Sequence, residues 1–325
     1  MRRRDFLLAG AAASAALSFG LPAAFAATKL RFAHFSVVDD PNHVSAVEFA
    51  DGIAAETGND TTVEIIPNSQ LGGEVDVVEG ILLGTIDISA PGCAVLANWV
   101  PEMNALNMPF AFSDWDHYTK TLDGPLFDAM VAAAAAKNIR ILGFMTSGVR
   151  HVMSKTAINS IDDIAGMRIR TVQNPVHIAT FEAFGASPTP IAYNEVYSSL
   201  QTGVVDGADA ANTNYYTQKF YEVAPFWAQL GWLYYSNAIV MAEDKFQAMT
   251  PEQQAALIKV GRQNGINHMV RWADSDAALL SKLVEAGVTV TTPDPAPFRD
   301  RSKGIYEEFL TTDSEKSLFA IIQAG

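Results

Sequence analysis

Two arginines in strand-like surroundings are the side chains of this sequence best suited to binding chemistry. Arg170 lies in "MRIRTVQNP", and Arg150 ends "ILGFMTSGVR" twenty residues earlier. A guanidinium inside a sheet is costly unless its planar fork meets a carboxylate. Two forks that converge on one site would hold an organic anion through paired charge-assisted hydrogen bonds. The alternative for each arginine is a structural ion pair with an Asp or Glu of the chain itself.

Catalytic and metal-binding patterns do not accompany these arginines. The six histidines show no metal-ligand spacing and no His-Glu-x-x-His motif, and there is no Gly-x-Ser-x-Gly elbow. No Gly-x-Gly-x-x-Gly follows a predicted strand, so a dinucleotide cofactor is not expected either. The acidic pairs Asp39-Asp40 and Asp162-Asp163 precede predicted helices, where capping is their expected role. The sequence therefore predicts a protein that is not an enzyme and that has no metal and no cofactor.

Length and composition favour a globular protein of two lobes. The chain has 325 residues, of which 49% are apolar and 18% charged. Cys93 is the only cysteine, so no intrachain disulfide is possible. The formal net charge of −14 and the lack of a basic patch argue against a nucleic-acid partner and favour a soluble monomer. If the ligand is an anion, positively charged side chains at the binding site must therefore outweigh the repulsion from the net negative charge of the protein.

The first 26 residues have the pattern of an export signal. A basic start is followed by an apolar stretch from Phe6 to about Leu21 and by Ala24-Phe25-Ala26, a triplet that signal peptidase can cleave. The pair Arg3-Arg4 resembles the twin-arginine signal, and an ordinary secretory signal is the alternative. Either route predicts that the mature protein works outside the cytoplasm, in the periplasm.

Alternating strand and helix patterns predict a mostly parallel sheet. Residues 29–90 read as β-α-β-α-β, and a second α/β block follows a strand over Arg140–Thr146. The aromatic segment 225–242 is predicted as two extended pieces with a break at Gly231. Thr250-Pro251 begins a helix that runs to Glu285, in which Gly261 and Gly265 permit a bend.

A series of motifs in the mature chain resembles the solute-binding subunit of tripartite ATP-independent periplasmic (TRAP) transporters, the DctP family. In order they are "RFAH", "NSQLGGE", "GTIDIS", "MPFAFSDWDH", "LDGPLFDAM", "SIDDIAGMRIRT", "GASPTPIAYNEVYSSLQTGVVDGADAA" and "QKFYEVA". The resemblance implies a two-lobed periplasmic binding protein fold of the α/β class, with hinge strands and a long lobe-spanning helix. The expected lobes are 28–147 plus 236–275 and 148–235 plus 276–325.

The same resemblance implies a binding site in the cleft between the lobes. Arg170 would hold the ligand carboxylate bidentately, with Arg150 as a second arginine and Tyr193 packed over the ligand. Relatives carry Asp-Gly-x-Glu-Asn-Pro where this chain has Asp206 to Ala211, so the family Asn is replaced by Ala210. Asn212 or Asn214 could take over its role. Two further candidates, Phe35 and Asn237, stand at family pocket positions. The remaining candidates are Asn212, Asp209, Tyr215 and Trp232.

The expected function is capture of a small organic acid and its delivery to the small and large membrane subunits of a TRAP transporter. Sugar acids and short hydroxy or keto acids are favoured over dicarboxylates, which the second arginine keeps as an alternative. A small sulfonate would also satisfy one arginine fork and stays open. Two other functions stay open at this point. One is an exported enzyme acting on organic acids, for which His34, His151 and Asp209 are the plausible residues, and the other is a ligand-sensing subunit of a membrane receptor.

Overall fold

The computed structural model describes residues 27–325, so the predicted export signal, residues 1–26, lies outside the described residues. One sheet of nine strands runs through the protein in the order β2-β1-β3-β8-β4-β7-β5-β6, with β9 paired to β8. The strands are β1 (Thr28–Ala33), β2 (Thr61–Ile66), β3 (Ile88–Ser89), β4 (Ile139–Ser154), β5 (Arg168–Thr171), β6 (Ser187–Pro190), β7 (Gly207–Ala210), β8 (Phe226–Ala242) and β9 (Thr289–Thr291).

Helices pack against this sheet. They are α1 (Pro41–Glu56), α2 (Glu74–Leu82), α3 (Cys93–Leu96), α4 (Trp115–Asp123), α5 (Pro125–Ala135), α6 (Pro175–Phe184), α7 (Val196–Thr202), α8 (Asn212–Thr217), α9 (Glu243–Gln247), α10 (Pro251–Glu285), α11 (Pro295–Arg301), α12 (Lys303–Phe309) and α13 (Asp313–Ala324). Short 3₁₀ turns occupy Pro101–Asn107, Ile161–Ile164, Tyr193–Glu195 and Phe220–Glu222. Within residues 27–325, none of the helices combines the length and the apolar character that a membrane crossing requires.

Two long antiparallel strands, β4 and β8, join the lobes. They pair from Ile139↔Ala242 to Ser154↔Phe226, with β1–β3 on one side of the pair and β5–β7 on the other. This confirms the two-lobed α/β fold with hinge strands. The exact lobe boundaries given above stay a prediction.

The hinge strands differ in two ways from their predicted form. β4 continues eight residues past the predicted end at Thr146, which places Arg150 inside the strand. β8 is one strand of 17 residues rather than two pieces. Gly231 lies where the register between the strands shifts, and its φ of 65° falls in the left-handed region. The glycine thus allows an irregularity without ending the strand.

The strand β6 explains the prolines of the segment that precedes Tyr193. It forms one end of the sheet and pairs with β5 alone. Pro188 and Pro190 lack a backbone N–H, which an edge strand does not need on its open side. Prolines therefore fit this position and hold the chain extended up to the 3₁₀ turn that begins at Tyr193.

The predicted long helix is confirmed as α10, with 35 residues and a capping box between Thr250 and Gln253. Gly261 and Gly265 do not interrupt it. Each faces the backbone of β4, where an added Cβ would lie 2.5 Å from Leu142 O and 2.1 Å from Phe144 O. The glycines therefore allow the helix to pack directly on the hinge strand, and a bend at these positions stays a prediction.

Side chains of α10 reach elements of both lobes. His268 bonds the Ser45 hydroxyl of α1 at 2.8 Å and the carbonyl of Thr146 in β4 at 2.7 Å. Farther along the helix, Asp276 accepts hydrogen bonds from the backbone N–H of Thr213, at 2.8 Å, and from its hydroxyl. The helix thus connects α1, the hinge and α8.

We expect Gly265→Ala to destabilise the protein by about 2 kcal/mol or more, because the new methyl group overlaps a backbone oxygen that cannot move freely. Gly304→Ala is the matched control, since a Cβ there meets nothing within 4 Å. That control should be neutral or stabilising by up to about 1 kcal/mol. Urea unfolding measures both, and equal free energies of unfolding for the two variants would contradict the packing described.

Several buried titratable groups make stability depend on pH. Burial is the main cause that lowers the pKa of four histidines: His34 and His268 to about 4, and His151 and His177 to about 3. Burial also raises the pKa of Asp40 and Asp276 to about 6. On acidification from pH 6.5 to 4 the histidines take up protons only in the unfolded chain, whereas the two carboxyls take them up only in the folded chain.

We expect the four histidines to outweigh the two aspartates, so that the free energy of unfolding falls as pH drops from 6.5 to 4.5. Each titrating group changes the free energy of unfolding by about 1.4 kcal/mol per pH unit between its pKa in the folded chain and its pKa in the unfolded chain. Urea titrations at several pH values measure the slope. Asp276→Asn should make the loss steeper, because it removes one of the opposing groups. A stability that rises over this interval would show that the carboxyls dominate.

Candidate ligand-binding site

A small cavity lies where the two lobes meet, with a volume of about 20 Å³, room for about one water molecule. Four of the predicted site residues line it, namely Arg150, Arg170, Tyr193 and Phe35. Further lining residues are Glu74, Ser147, Val172, Asn214 and Tyr235. The structure thus brings the two arginines and the two aromatic candidates to one place.

Arg170 is presented by β5 and is only 2% exposed. Its Nε donates to the carbonyl of Ile191 at 2.8 Å, and Nη1 lies 3.9 Å from Asp209 Oδ1, beyond hydrogen-bond distance. Within the described chain, no hydrogen-bond acceptor is found for Nη1 or Nη2. Burial lowers the pKa of Arg170, and Asp209 partly opposes this effect. The guanidinium therefore keeps donors for a further anion.

Arg150 has the structural ion pair that was the alternative for both arginines. Its Nε donates to Asp209 Oδ2 at 2.8 Å, and its Nη2 donates to the Asp209 carbonyl at 2.6 Å. The guanidinium also lies 4.9 Å from the ring centre of Tyr235. Burial by itself would raise the pKa of Asp209, but Arg150, with smaller contributions from His177 and Arg170, holds it below the ordinary value. Asp209 is therefore an ionised partner beneath the cavity rather than part of its lining.

Glu74 is a lining residue that sequence reasoning missed. It is the first residue of α2, and its Oε1 accepts a hydrogen bond from the backbone N–H of Gly92 at 2.8 Å. Burial raises its pKa, while Arg170 and Arg150 act in the opposite direction. Its position at the end of the motif "NSQLGGE" could have marked Glu74 as a site residue. An acidic residue at the start of a helix is normally explained by the helix dipole instead.

Ser147 and Asn214 are the polar lining residues that connect the cavity to its surroundings. The Ser147 hydroxyl donates to Asn237 Oδ1 at 2.8 Å, and Asn214 Nδ2 donates to Asp40 Oδ2 at 3.3 Å. Asn214 rather than Asn212 therefore reaches the cavity wall after the loss of the family Asn at Ala210. Asn237 lies one layer behind, fully buried, and donates to the Ala90 carbonyl at 3.3 Å.

Asn212 is committed to holding α8 in place. Its Oδ1 accepts hydrogen bonds from Trp227 Nε1 at 2.8 Å and Gln229 Nε2 at 2.9 Å, and its Nδ2 donates to the Asp276 carbonyl. These bonds leave it outside the cavity lining, and its role as a ligand contact stays a prediction.

Tyr215 and Trp232 also lie outside the cavity lining, in hydrophobic cores. Tyr215 stacks on Trp227 with ring centres 4.2 Å apart and donates its hydroxyl to the Ala224 carbonyl. Trp232 is fully buried against Phe181, with ring centres 5.4 Å apart. Aromatic content near a quoted motif did not distinguish core from cavity wall, because both environments select large apolar rings.

Phe35 and Tyr193 form the aromatic part of the wall. Phe35 follows β1, Tyr193 opens the 3₁₀ turn after β6, and the ring centres lie 5.2 Å apart at an interplanar angle of 71°. The Tyr193 hydroxyl is buried and has no hydrogen-bond partner among residues 27–325. An unpaired hydroxyl at a cavity is available to a ligand.

The residues that would have supported catalysis have structural contacts instead. His151 Nδ1 accepts a hydrogen bond from the backbone N–H of Gly231 at 3.0 Å, and its ring packs on Trp227. His34 Nε2 lies 3.1 Å from His43 Nδ1. In the part of the chain that the structure describes, no three His, Cys, Asp or Glu residues form a group able to hold a metal ion.

Two lobes on crossing strands, with a buried arginine at a cavity between them, define the class of two-lobed solute-binding proteins. The family model described as bacterial extracellular solute-binding protein, family 7 (DctP), matches residues 32–313. The chain belongs to this family, the solute-binding proteins of TRAP transporters. The family consists of solute-binding proteins, not enzymes.

Individual relatives agree with this assignment. The 2,3-diketo-L-gulonate-binding periplasmic protein YiaO of Escherichia coli K12 is 32% identical over 268 residues, which cover 82% of each chain. A TRAP periplasmic solute-binding protein from Bradyrhizobium, solved with galacturonate, has a TM-score of 0.89 and 29% identity, covering 91% of this chain and 100% of its own. One from Roseobacter denitrificans with bound β-D-glucuronate has a TM-score of 0.87 and 28% identity, covering 91% and 99%.

We expect Tyr193→Phe to leave the free energy of unfolding unchanged within about 0.5 kcal/mol, because the hydroxyl that it removes has no partner. Tyr215→Phe is the matched control and should lose about 1 kcal/mol with its bond to Ala224. Urea unfolding of the two variants tests this difference. A Tyr193→Phe variant that loses as much stability as the control would show that its hydroxyl is bonded within the protein.

Proposed function

We propose that this protein is a periplasmic solute-binding protein that captures a sugar acid and delivers it to the membrane subunits of a TRAP transporter. The observation that carries the proposal is Arg170, a buried guanidinium at the cavity whose Nη1 and Nη2 have no hydrogen-bond acceptor among the described residues. The names of the relatives support a sugar acid, since they report a diketogulonate, a galacturonate and a glucuronate.

In this proposal the ligand carboxylate accepts two parallel hydrogen bonds from the free side of Arg170. The bond from Arg170 Nε to Ile191 fixes the plane of the guanidinium before the ligand arrives. Folding therefore removes the guanidinium from water and orients it before the ligand binds. Less rotamer freedom of the Arg170 side chain is then lost on binding. Tyr193 and Phe35 offer ring faces to the carbon skeleton, while Glu74 and Asn214 can bond hydroxyl groups.

Binding requires the lobes to move, because a sugar acid is many times larger than a cavity of about 20 Å³. The ligand enters an open form and stabilises the closed one by contacts that both lobes provide. The register shifts of β4 and β8 next to Arg150 and Thr146 are the places where the hinge strands can change angle. The closed form then docks on the membrane subunits, and the route of export and the monomeric state stay predictions.

The test compares Arg170→Lys with Arg168→Lys in the mature protein. Lysine keeps the charge but lacks the fork, so calorimetry with D-galacturonate, D-glucuronate and 2,3-diketo-L-gulonate should show a loss of about 100-fold or more for Arg170→Lys. Arg168 lies on the same strand but is half exposed and paired with Asp206 at 2.5 Å, so its variant should bind within about threefold of wild type.

Circular dichroism must show that both variants are folded. An Arg170→Lys protein that is folded and binds as tightly as the Arg168→Lys control would reject the role of Arg170. A wild-type protein that binds none of the three acids would reject the sugar-acid assignment itself.

A further inference from the structure

We propose that the cavity accepts one carboxylate and rejects sugar acids that carry a second, and that Glu74 is the residue that sets this limit. The inference rests on the proposed function and names its substrate class more narrowly, as monoanionic sugar acids.

The two arginines do not provide two anion sites. Arg150 donates twice to Asp209, through Nε to the carboxylate and through Nη2 to the carbonyl. Asp209 Oδ1 also lies 3.9 Å from Arg170 Nη1, so one carboxylate faces both guanidiniums. Both arginines and Asp209 are at most 3% exposed, which keeps water from screening them. Two guanidiniums and the Asp209 carboxylate leave a net charge of one positive unit before Glu74 is counted.

Glu74 opposes any further negative charge at the cavity. One of its oxygens accepts the bond from Gly92, and for the other, Oε2, no donor is found within residues 27–325. An oxygen of this kind is an acceptor for a ligand hydroxyl. A ligand carboxylate in the same position would either face an ionised Glu74 or bring a proton with it, and both options cost free energy.

Asp40 adds to this effect from behind the wall. It accepts hydrogen bonds from Asn214 Nδ2 and the Thr217 hydroxyl, each at 3.3 Å. Of the described residues that line the cavity, Arg150 and Arg170 carry the positive charges. A second ligand carboxylate would therefore find no cation that is not already engaged, so the dicarboxylates that a second arginine had kept as an alternative are disfavoured.

The experiment measures dissociation constants by calorimetry for two groups of six-carbon acids. The monoacids are D-galacturonate, D-glucuronate and D-galactonate, and the diacids are galactarate and D-glucarate. Wild type, Glu74→Gln and Glu79→Gln are compared. Gln keeps an acceptor for Gly92, and Glu79 is an exposed residue of the same helix, so its variant controls for the loss of one negative charge.

In wild type we expect the tightest monoacid to bind about 100-fold or more tightly than the tightest diacid, since an uncompensated like charge costs several kcal/mol. Glu74→Gln should reduce the ratio of the diacid to the monoacid dissociation constant at least about tenfold, and Glu79→Gln should leave this ratio unchanged. Differences in shape between cyclic and open-chain acids affect all three proteins alike and cancel in the comparison.

A wild-type protein that binds a diacid as tightly as its best monoacid would overturn the inference while leaving the proposed function intact. A Glu74→Gln variant in which the ratio of the two dissociation constants is unchanged would overturn it as well. Binding of none of the acids would overturn the proposed function and the inference together.

Discussion

The central constraint on this structure is the buried cluster of two guanidiniums and one carboxylate. Removing an arginine from water costs several kcal/mol unless a counter-charge and hydrogen bonds replace the lost hydration. Arg150 finds both in Asp209, to which it donates hydrogen bonds. Arg170 donates one hydrogen bond to the Ile191 carbonyl and has Asp209 as a more distant counter-charge. The cluster thus neutralises Arg150 within the fold and leaves Arg170 with a weaker internal counter-charge. This difference is the reason for proposing that a ligand carboxylate binds to Arg170.

The strand order of the sheet explains how this cluster is assembled between the two lobes. β4 carries Arg150 and pairs with β7, which carries Asp209, so their ion pair is built within one part of the sheet. β5 presents Arg170 from the neighbouring position on β7's other side. Phe35 and Glu74 approach from the β1–β3 side. The charge cluster therefore lies entirely on the β4–β7–β5 side, and the opposite wall of the cavity comes from the other side of the sheet.

The long helix α10 connects the two sides of the hinge a second time. Its glycines pack against the backbone of β4, and His268 and Asp276 bond elements on different sides of the hinge. Close-packed contacts of this kind have few alternative arrangements. The strand pair and the helix thus both link the β1–β3 side of the sheet to the β5–β7 side.

The sequence by itself determined the α/β class, the long helix with its cap, and the motif series that identified the family, because periodicity, capping and turn chemistry are local properties. It also singled out Arg170, Arg150, Tyr193 and Phe35. Only the tertiary structure decided that Arg150 is neutralised by Asp209, that Asn214 rather than Asn212 reaches the cavity, and that Tyr215 and Trp232 belong to the core. Glu74 emerged only there as well. Each of these outcomes depends on which side chains meet across strands distant in sequence, and the burial of charge is set by that meeting rather than by any local pattern.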